Sequence, residues 1–269
     1  MEKPSKYHIF AVTNQMITMK YQFNKKSEKW KSINNVDEWV KSFDPSKNDE
    51  DGKSAKTLAQ FCKENDVESI IKEWIAPIVK EEFSLDSAMP EMSTKFDNYG
   101  KGRTHDLGIY GKTVSGKRIF IGVEAKVNET FGGTVQQAYN YVDTLRNKGK
   151  NSNLKARIDG LKEEYFPGLD LDDIRYQLLY AIAGTLCEEA VIKILLFITF
   201  EPRQFKVESG QRNDNDLNDF LKLLDIEIVP ENCWKLNIGE QTMCVLNKHV
   251  KVNYENRKLE LQQQIQREI

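Results

Sequence analysis

The sequence predicts an α/β fold, a mixed central sheet flanked by helices, and three stretches carry that prediction. From Arg103 to Lys126 (RTHDLGIYGKTVSGKRIFIGVEAK) two strands flank the turn-forming Val114-Ser115-Gly116. In the second strand Ile119, Ile121, Val123 and Ala125 alternate with Phe120, Gly122, Glu124 and Lys126, the period of two that a strand requires. Between Val67 and Ile78 the residues Val67, Ile70, Ile71, Trp74, Ile75 and Ile78 fall on one stripe at about 100° per residue, the pattern of a helix with one buried face. From Val191 to Phe200 (VIKILLFITF) nearly every residue is apolar, and such a strand belongs in the middle of a sheet covered on both faces.

Length and composition narrow the function classes. With 269 residues, of which 39% are hydrophobic and 30% charged, the chain can bury a sizeable core, and one elaborated domain is favoured over two intimate ones. No apolar run approaches the roughly 20 residues of a membrane span, so no membrane partner is expected. The start, MEKPSKYHIF, lacks the apolar core of a secretory peptide, and a cytoplasmic location is expected. Cys62, Cys187, Cys233 and Cys244 form no CxxC pair, which speaks for reduced, mostly buried thiols rather than a zinc site or a disulfide framework. Net charge is −2, so a nucleic-acid surface has to be a local patch. Arg146, Lys148, Lys150, Lys155 and Arg157 form one candidate, with no acidic residue among them. A solvated loop and a phosphate-contacting loop are both open readings of it.

In chain order, residues 7 to 23 are rich in aromatic and β-branched types and read as edge strands or a small hairpin. Val36 to Val40 reads as a short helical turn and Asp44 to Lys53 as a loop. Ser54 is the expected cap of a helix over AKTLAQFCKEN, and Asp66 the cap of the helix that begins at Val67. A helix-turn-helix reader is the alternative for this pair; a structural pair is favoured, because the second helix offers Glu68 and Glu73 where a groove reader needs arginine and asparagine. The Gly52-Lys53-Ser54 triplet lacks the upstream glycine and strand of a phosphate loop. Glu81 and Glu82 project onto the apolar stripe of the second helix. Either Glu82 or Glu81 is a fourth active-site carboxylate, or Pro77 resets the phase and leaves an exposed helix end.

Phe83 to Tyr99 reads as extended or irregular, and Tyr99-Gly100-Lys101-Gly102 as a flexible lead into the strand pair. After Lys126, Phe131-Gly132-Gly133-Thr134 breaks the chain before a helix from about Val135 to Arg146, capped by Thr134, on which Gln137 and Tyr141 share a face. A buried helix from Ile174 to Cys187 is expected next. Gly210 to Asp219 reads as a polar loop running into a short helix, Leu217 to Leu224. Strands are expected at Ile226 to Val229 and Gln241 to Val252, then a polar terminal helix over 255–269 that packs on the body or on another subunit, which leaves a homodimer open.

The chemistry lies in the strand pair. Alternation puts Thr104, Asp106 and Gly108 on one face and Glu124 with Lys126 on one face, so a single register brings two acids and a lysine together. Two carboxylates a few ångströms apart repel and are held by a cation, and oxygen donors of this kind suit Mg²⁺ or Mn²⁺. Such a metal polarises a phosphoryl oxygen, and a lysine beside it orients water and neutralises developing charge. The alternative is a strand-borne ion pair without metal.

Asp106, seventeen residues, then Glu124-Ala125-Lys126 resembles the D…ExK signature of the PD-(D/E)XK nuclease superfamily. The order helix, strands, helix, buried strand, over about 66–200, resembles its restriction-endonuclease-like αβββαβ core. Gln137 and Tyr141 are similar to the QxxxY element of RecB-like members, and Gly52-Lys53-Ser54-Ala55-Lys56 with Leu58-Ala59 resembles a segment of uncharacterised bacterial members. The superfamily's proline before the aspartate is His105 here, read as an orienting neighbour or a surface residue rather than a catalytic one. The resemblance implies a core at 66–200, with residues 1–65 and 201–269 as additions packed on it. It also implies Asp106, Glu124 and the Ala125 carbonyl as ligands of Mg²⁺ or Mn²⁺, and Lys126 acting on the attacking water. Gln137 and Tyr141, together with Lys148, Lys150, Lys155 and Arg157, would contact nucleic acid. The expected activity is endonucleolytic cleavage of DNA, of restriction or defence type, leaving 5′-phosphate and 3′-hydroxyl ends. A nuclease-fold module that binds nucleic acid or protein without cutting is the alternative.

Overall fold

Sixteen short elements are defined in a computed structural model that describes residues 19–23, 31–34, 36–40, 53–99, 102–203, 205–229 and 232–253. In chain order they are β1 (Lys20–Phe23), β2 (Lys31–Ser32), α1 (Val36–Val40), α2 (Ser54–Glu64), α3 (Val67–Val79), β3 (Phe83–Thr94), β4 (Arg103–Thr113) and β5 (Arg118–Lys126). Next come α4 (Val135–Asn147), α5 (Leu154–Tyr165), α6 (Tyr176–Leu186), β6 (Ile192–Glu201), α7 (Val207–Leu221), β7 (Ile226–Ile228), β8 (Cys233–Ile238) and β9 (Gln241–Lys251). The strands expected within 7–18, the loop at 44–52, Gly52 of the rejected phosphate loop and the terminal helix at 255–269 lie outside the described residues.

The strands form one mixed sheet in the order β2-β1-β3-β4-β5-β6-β9-β8-β7. Its centre is an antiparallel meander, β3-β4-β5, extended by the parallel strands β6 and β9. A parallel neighbour cannot be reached from β5 through a tight turn, so α4, α5 and α6 form the crossover to β6. Since β9 pairs with β6 and β8 with β9, the chain beyond Glu201 continues the same sheet.

Two cores sandwich the sheet. On one face Leu58 of α2 and Ile71 and Ile75 of α3 pack with Leu107, Ile109, Ile121, Val123 and Ala125. On the other Ile158 of α5, Leu178, Leu179 and Ile182 of α6 and Leu217 of α7 pack with Leu195, Phe197 and Val245. Residues of β6 alternate between the two cores, so the nearly continuous apolar run from Ile192 to Phe200 is what a strand buried on both sides requires. The α2–α3 pair presents its apolar stripes to the sheet, as a structural pair does. None of the helices is long and apolar enough to cross a membrane, among the described residues.

Some elements depart from expectation. Ser54 is the first residue of α2 and Lys53 occupies the cap, without a side-chain hydrogen bond, whereas Asp66 caps α3 by accepting from the Ser69 amide. The basic segment is partly helical, with Lys155 and Arg157 inside α5. The polar stretch GQRNDNDLND lies inside α7, because Gly210, Asn213, Leu217, Phe220 and Leu221 recur at helical spacing and are all buried. Burial of that stripe outweighs the low helix propensity of its glycine, asparagines and aspartates. Strand β8 carries no clear signal of its own and forms by pairing with β9.

Candidate functional site

Strands β4 and β5 pair from Lys112↔Arg118 to Leu107↔Val123, and their ladder stops there. Beyond that point β4 stays bound to β3 as far as Arg103, and β5 stays bound to β6 as far as Lys126. A notch therefore opens in the sheet, flanked by Arg103–Asp106 on one side and Glu124–Lys126 on the other. The Asp106 carboxylate bridges it: Oδ2 accepts a hydrogen bond of 2.8 Å from the Ala125 amide, replacing the missing ladder bond.

Simple alternation breaks at Asp106. Leu107 belongs to the core under α3, yet His105 packs edge-on against Phe120 at 5.7 Å, beneath α6 on the opposite face. The irregularity coincides with Glu91 of β3, whose φ is 51°, and with a gap in the β3–β4 register between Pro90↔Leu107 and Met92↔His105. Two glycines make the slot that receives the imidazole. A Cβ on Gly122 would stand 2.7 Å from His105 Cε1, and one on Gly184 would stand 2.9 Å from Arg103 Cγ and 3.2 Å from His105 Nε2. Gly122→Ala should lower stability by about 1–3 kcal/mol, read from the urea midpoint, because a fully buried ring has nowhere to move.

The twist delivers a buried polar cluster. Glu124 is 1% exposed. Its Oε1 contacts the Arg103 guanidinium and lies 3.5 Å from His105 Nδ1, while its Oε2 accepts from Gln177 Nε2 of α6 at 3.0 Å. Arg103 also stacks over the Tyr180 ring at 4.5 Å. Burial alone would raise the Glu124 carboxyl, but Arg103, then His105 and Lys126, outweigh it and hold it at about 2. Burial pushes His105 down, although Glu124 pulls the other way. For Asp106 the balance reverses: burial first and the Glu124 charge second push it up to about 7, against Lys126 and the Ala125 amide. Lys126 is buried, close to both carboxylates, with Nζ 5.5 Å from the Phe131 ring centre.

The shift of Asp106 has a measurable consequence. The folded chain keeps a proton that the unfolded chain releases near its ordinary value of 3.8, so metal-free stability should fall as pH rises from about 4 to about 7. Glu124 acts in the opposite sense and below that window, losing stability as pH falls from its ordinary 4.5 through about 2. Asp106→Asn should flatten the fall and raise the melting temperature at neutral pH without metal, measured by thermal denaturation across a pH series.

Of the other expected site residues, Glu81 and Glu82 lie away from the notch. Helix α3 ends at Val79, and Lys80 turns the chain in a left-handed conformation, so neither Glu81 nor Glu82 continues the helical stripe. Glu82 is exposed at the β4–β5 turn, where its carbonyl accepts from the Val114 amide, and Glu81 pairs with Lys117 at 2.8 Å. With Phe83 paired to Thr113, Asp106 is seven residues farther along β4, roughly 23 Å away. Gln137 is spent on its own helix: its Oε1 accepts from the Thr134 amide in the capping box of α4. Tyr141 is 57% exposed. Arg157 pairs with Asp97, and Lys155 pairs with Asp159 at 3.1 Å, leaving Lys148 and Lys150 exposed at the α4–α5 connection.

The residues that do join the site, Arg103, Gln177 and Tyr180, carried no motif. The glycines at 122 and 184, small residues within otherwise apolar elements, are the trace they leave in the sequence.

No three His, Cys, Asp or Glu side chains among the described residues are grouped to hold a metal. The oxygens that fit a hard divalent cation are those of Asp106 and Glu124 with the Ala125 carbonyl. Burial first and the Glu124 charge second push the Asp106 carboxyl up to about 7, a load that a cation relieves, so the donor set fits. Lys126 on the same strand can face the same ligand.

No curated protein and no solved structure matches the chain. A family model described as a domain of unknown function, DUF6946, matches residues 32–250, which include most of both cores and the notch between β4 and β5. On that match the chain belongs to the DUF6946 family.

Proposed function

We propose that this protein is a metal-dependent nuclease of the restriction-endonuclease-like fold that hydrolyses DNA. The observation that carries the reading is the notch where β4 leaves β5, with Asp106 bridging to Ala125 beside buried Glu124 and Lys126. The run α3-β3-β4-β5, then crossover helices and the parallel β6, supports it by matching the αβββαβ order.

In this reading Asp106, Glu124 and the Ala125 carbonyl hold Mg²⁺ or Mn²⁺. The ion supplies Lewis-acid polarisation of a phosphoryl oxygen and a more acidic bound water. Lys126 orients the attacking water and offsets negative charge on the phosphoryl group, which a buried ammonium does more strongly than an exposed one. Gln177 anchors Glu124 Oε2 from α6, so the carboxylate is held in place before substrate arrives. The products would carry 5′-phosphate and 3′-hydroxyl ends.

A second reading, a nuclease-fold module that binds nucleic acid or protein without cutting, draws on one observation: Arg103 already balances the Glu124 charge without a metal. Incubation of plasmid, linear and single-stranded DNA with the protein and Mg²⁺ or Mn²⁺ separates the two. Cleavage by the wild type that Asp106→Ala and Lys126→Ala both lose is the expected result. Cleavage that survives both substitutions rejects this site, and no cleavage of any substrate favours the binding module.

A further inference from the structure

Arg103 occupies the position where a positive ion is most needed. It is the first residue of β4, at the edge of the notch, with a guanidinium side chain only 6% exposed that contacts Glu124 Oε1. Gln177 holds Glu124 Oε2, and the Ala125 amide holds Asp106 Oδ2. Two of the four carboxylate oxygens in the notch thus already accept hydrogen bonds from the protein, and a third, Glu124 Oε1, faces the guanidinium. With both carboxylates ionised, as metal ligation requires, Arg103 and Lys126 already match their charge. Adding a divalent cation to this set would leave two uncompensated positive charges in a poorly hydrated place, which is costly.

We propose that Arg103 is a latch on Glu124, a built-in counter-cation that a divalent metal ion must displace, so that metal entry and release of the guanidinium form one ion exchange. The inference rests on the metal-binding reading given above. Two further features make Arg103 a displaceable partner rather than a permanent one. Neither its Nε nor its Nη2 makes a hydrogen bond and Glu124 Oε1 accepts none, so the pair is a charge contact and not the two-pronged fork that makes an arginine–carboxylate pair strongest. Its guanidinium lies over the Tyr180 ring at 4.5 Å, an aromatic face that can keep a cation when the carboxylate is lost. Arg103 is therefore a positioning residue that acts through Glu124. Its presence weakens metal binding, which no merely structural contact would do.

The test is Mn²⁺ affinity, read from the electron paramagnetic resonance of the free ion, for the wild type, Arg103→Gln and Arg103→Lys, with Asp106→Asn as the blank. Arg103→Gln should tighten Mn²⁺ binding about tenfold, while Arg103→Lys, which keeps the charge, stays near the wild type. Equal or weaker binding by Arg103→Gln, with Mn²⁺ bound by the wild type, overturns the latch and leaves the metal reading standing. Binding by neither protein overturns both. A measurement on the wild type avoids dependence on a variant's folding: Mg²⁺ is titrated while the Arg103 Nε–Hε nitrogen resonance, assigned by its loss in Arg103→Lys, is monitored. The resonance should shift with saturation of the site, and one that stays fixed while the Asp106 and Ala125 amide signals report binding overturns the proposal.

Discussion

Lys126→Ala should lower the rate of Mg²⁺-dependent DNA cleavage by about 10²–10⁴-fold, the range seen when a group that handles the proton or charge of the reacting water is removed. The reason lies in where β5 ends. Lys126 is the last residue of the strand, two beyond Glu124 and so on the same side, and its pairing with Thr199 of β6 fixes the backbone from which it projects. Its side chain is buried, where the ammonium charge is screened less than it would be in water. The single-turnover rate with saturating metal is the measurement to use, alongside circular dichroism to show that the variant is folded. A variant that cuts at the wild-type rate removes Lys126 from the chemistry.

Glu124→Ala should destabilise the fold by about 3–5 kcal/mol, the cost of stranding a buried partner charge. Arg103 would then lose its contacting carboxylate beneath α6 while keeping the Tyr180 face, and Gln177 would lose its acceptor. Equilibrium urea unfolding measures the loss. Replacing both charges by apolar groups of similar volume, Arg103→Met with Glu124→Leu, should recover most of it, because the expense lies in the unpaired charge and not in the absence of the pair. An unchanged urea midpoint for Glu124→Ala would show that the pair does not form in solution. These two variants separate the roles proposed for neighbouring residues: Lys126→Ala reads the chemistry, whereas Glu124→Ala also removes a buried charge contact of the fold.

Much of the architecture is legible in one dimension because it depends on periodicity. The stripe from Val67 to Ile78 and the unbroken apolar run of β6 each state which faces are covered, and α3 and β6 have the burial those patterns require, whereas β5 alternates in residue type yet is buried on both faces. Helix caps such as Asp66 and Thr134 are legible for a similar reason, since the residue that satisfies an amide lies three positions from it. Helix α7 was not legible: its stripe of Gly210, Asn213, Leu217, Phe220 and Leu221 mixes polar and apolar types, and burial against the sheet made it a helix.

The candidate site divides along the same line. Asp106, Glu124 and Lys126 can be read from spacing, because residues two apart on a strand share a face and a turn joins the two strands. Glu82 could be read only as a projection of helix α3, and the projection fails because that helix stops at Val79. What no local pattern contains is the break of alternation at Asp106 that swings Arg103 and His105 under α6, onto Glu124. That break depends on a register gap against Glu91, on the space left by Gly122 and Gly184, and on Gln177 arriving from a helix more than fifty residues later. Strand periodicity thus places the acids and the lysine within the chain, while long-range packing decides which charges meet them, because a buried charge is settled by whichever partners the completed fold brings within reach.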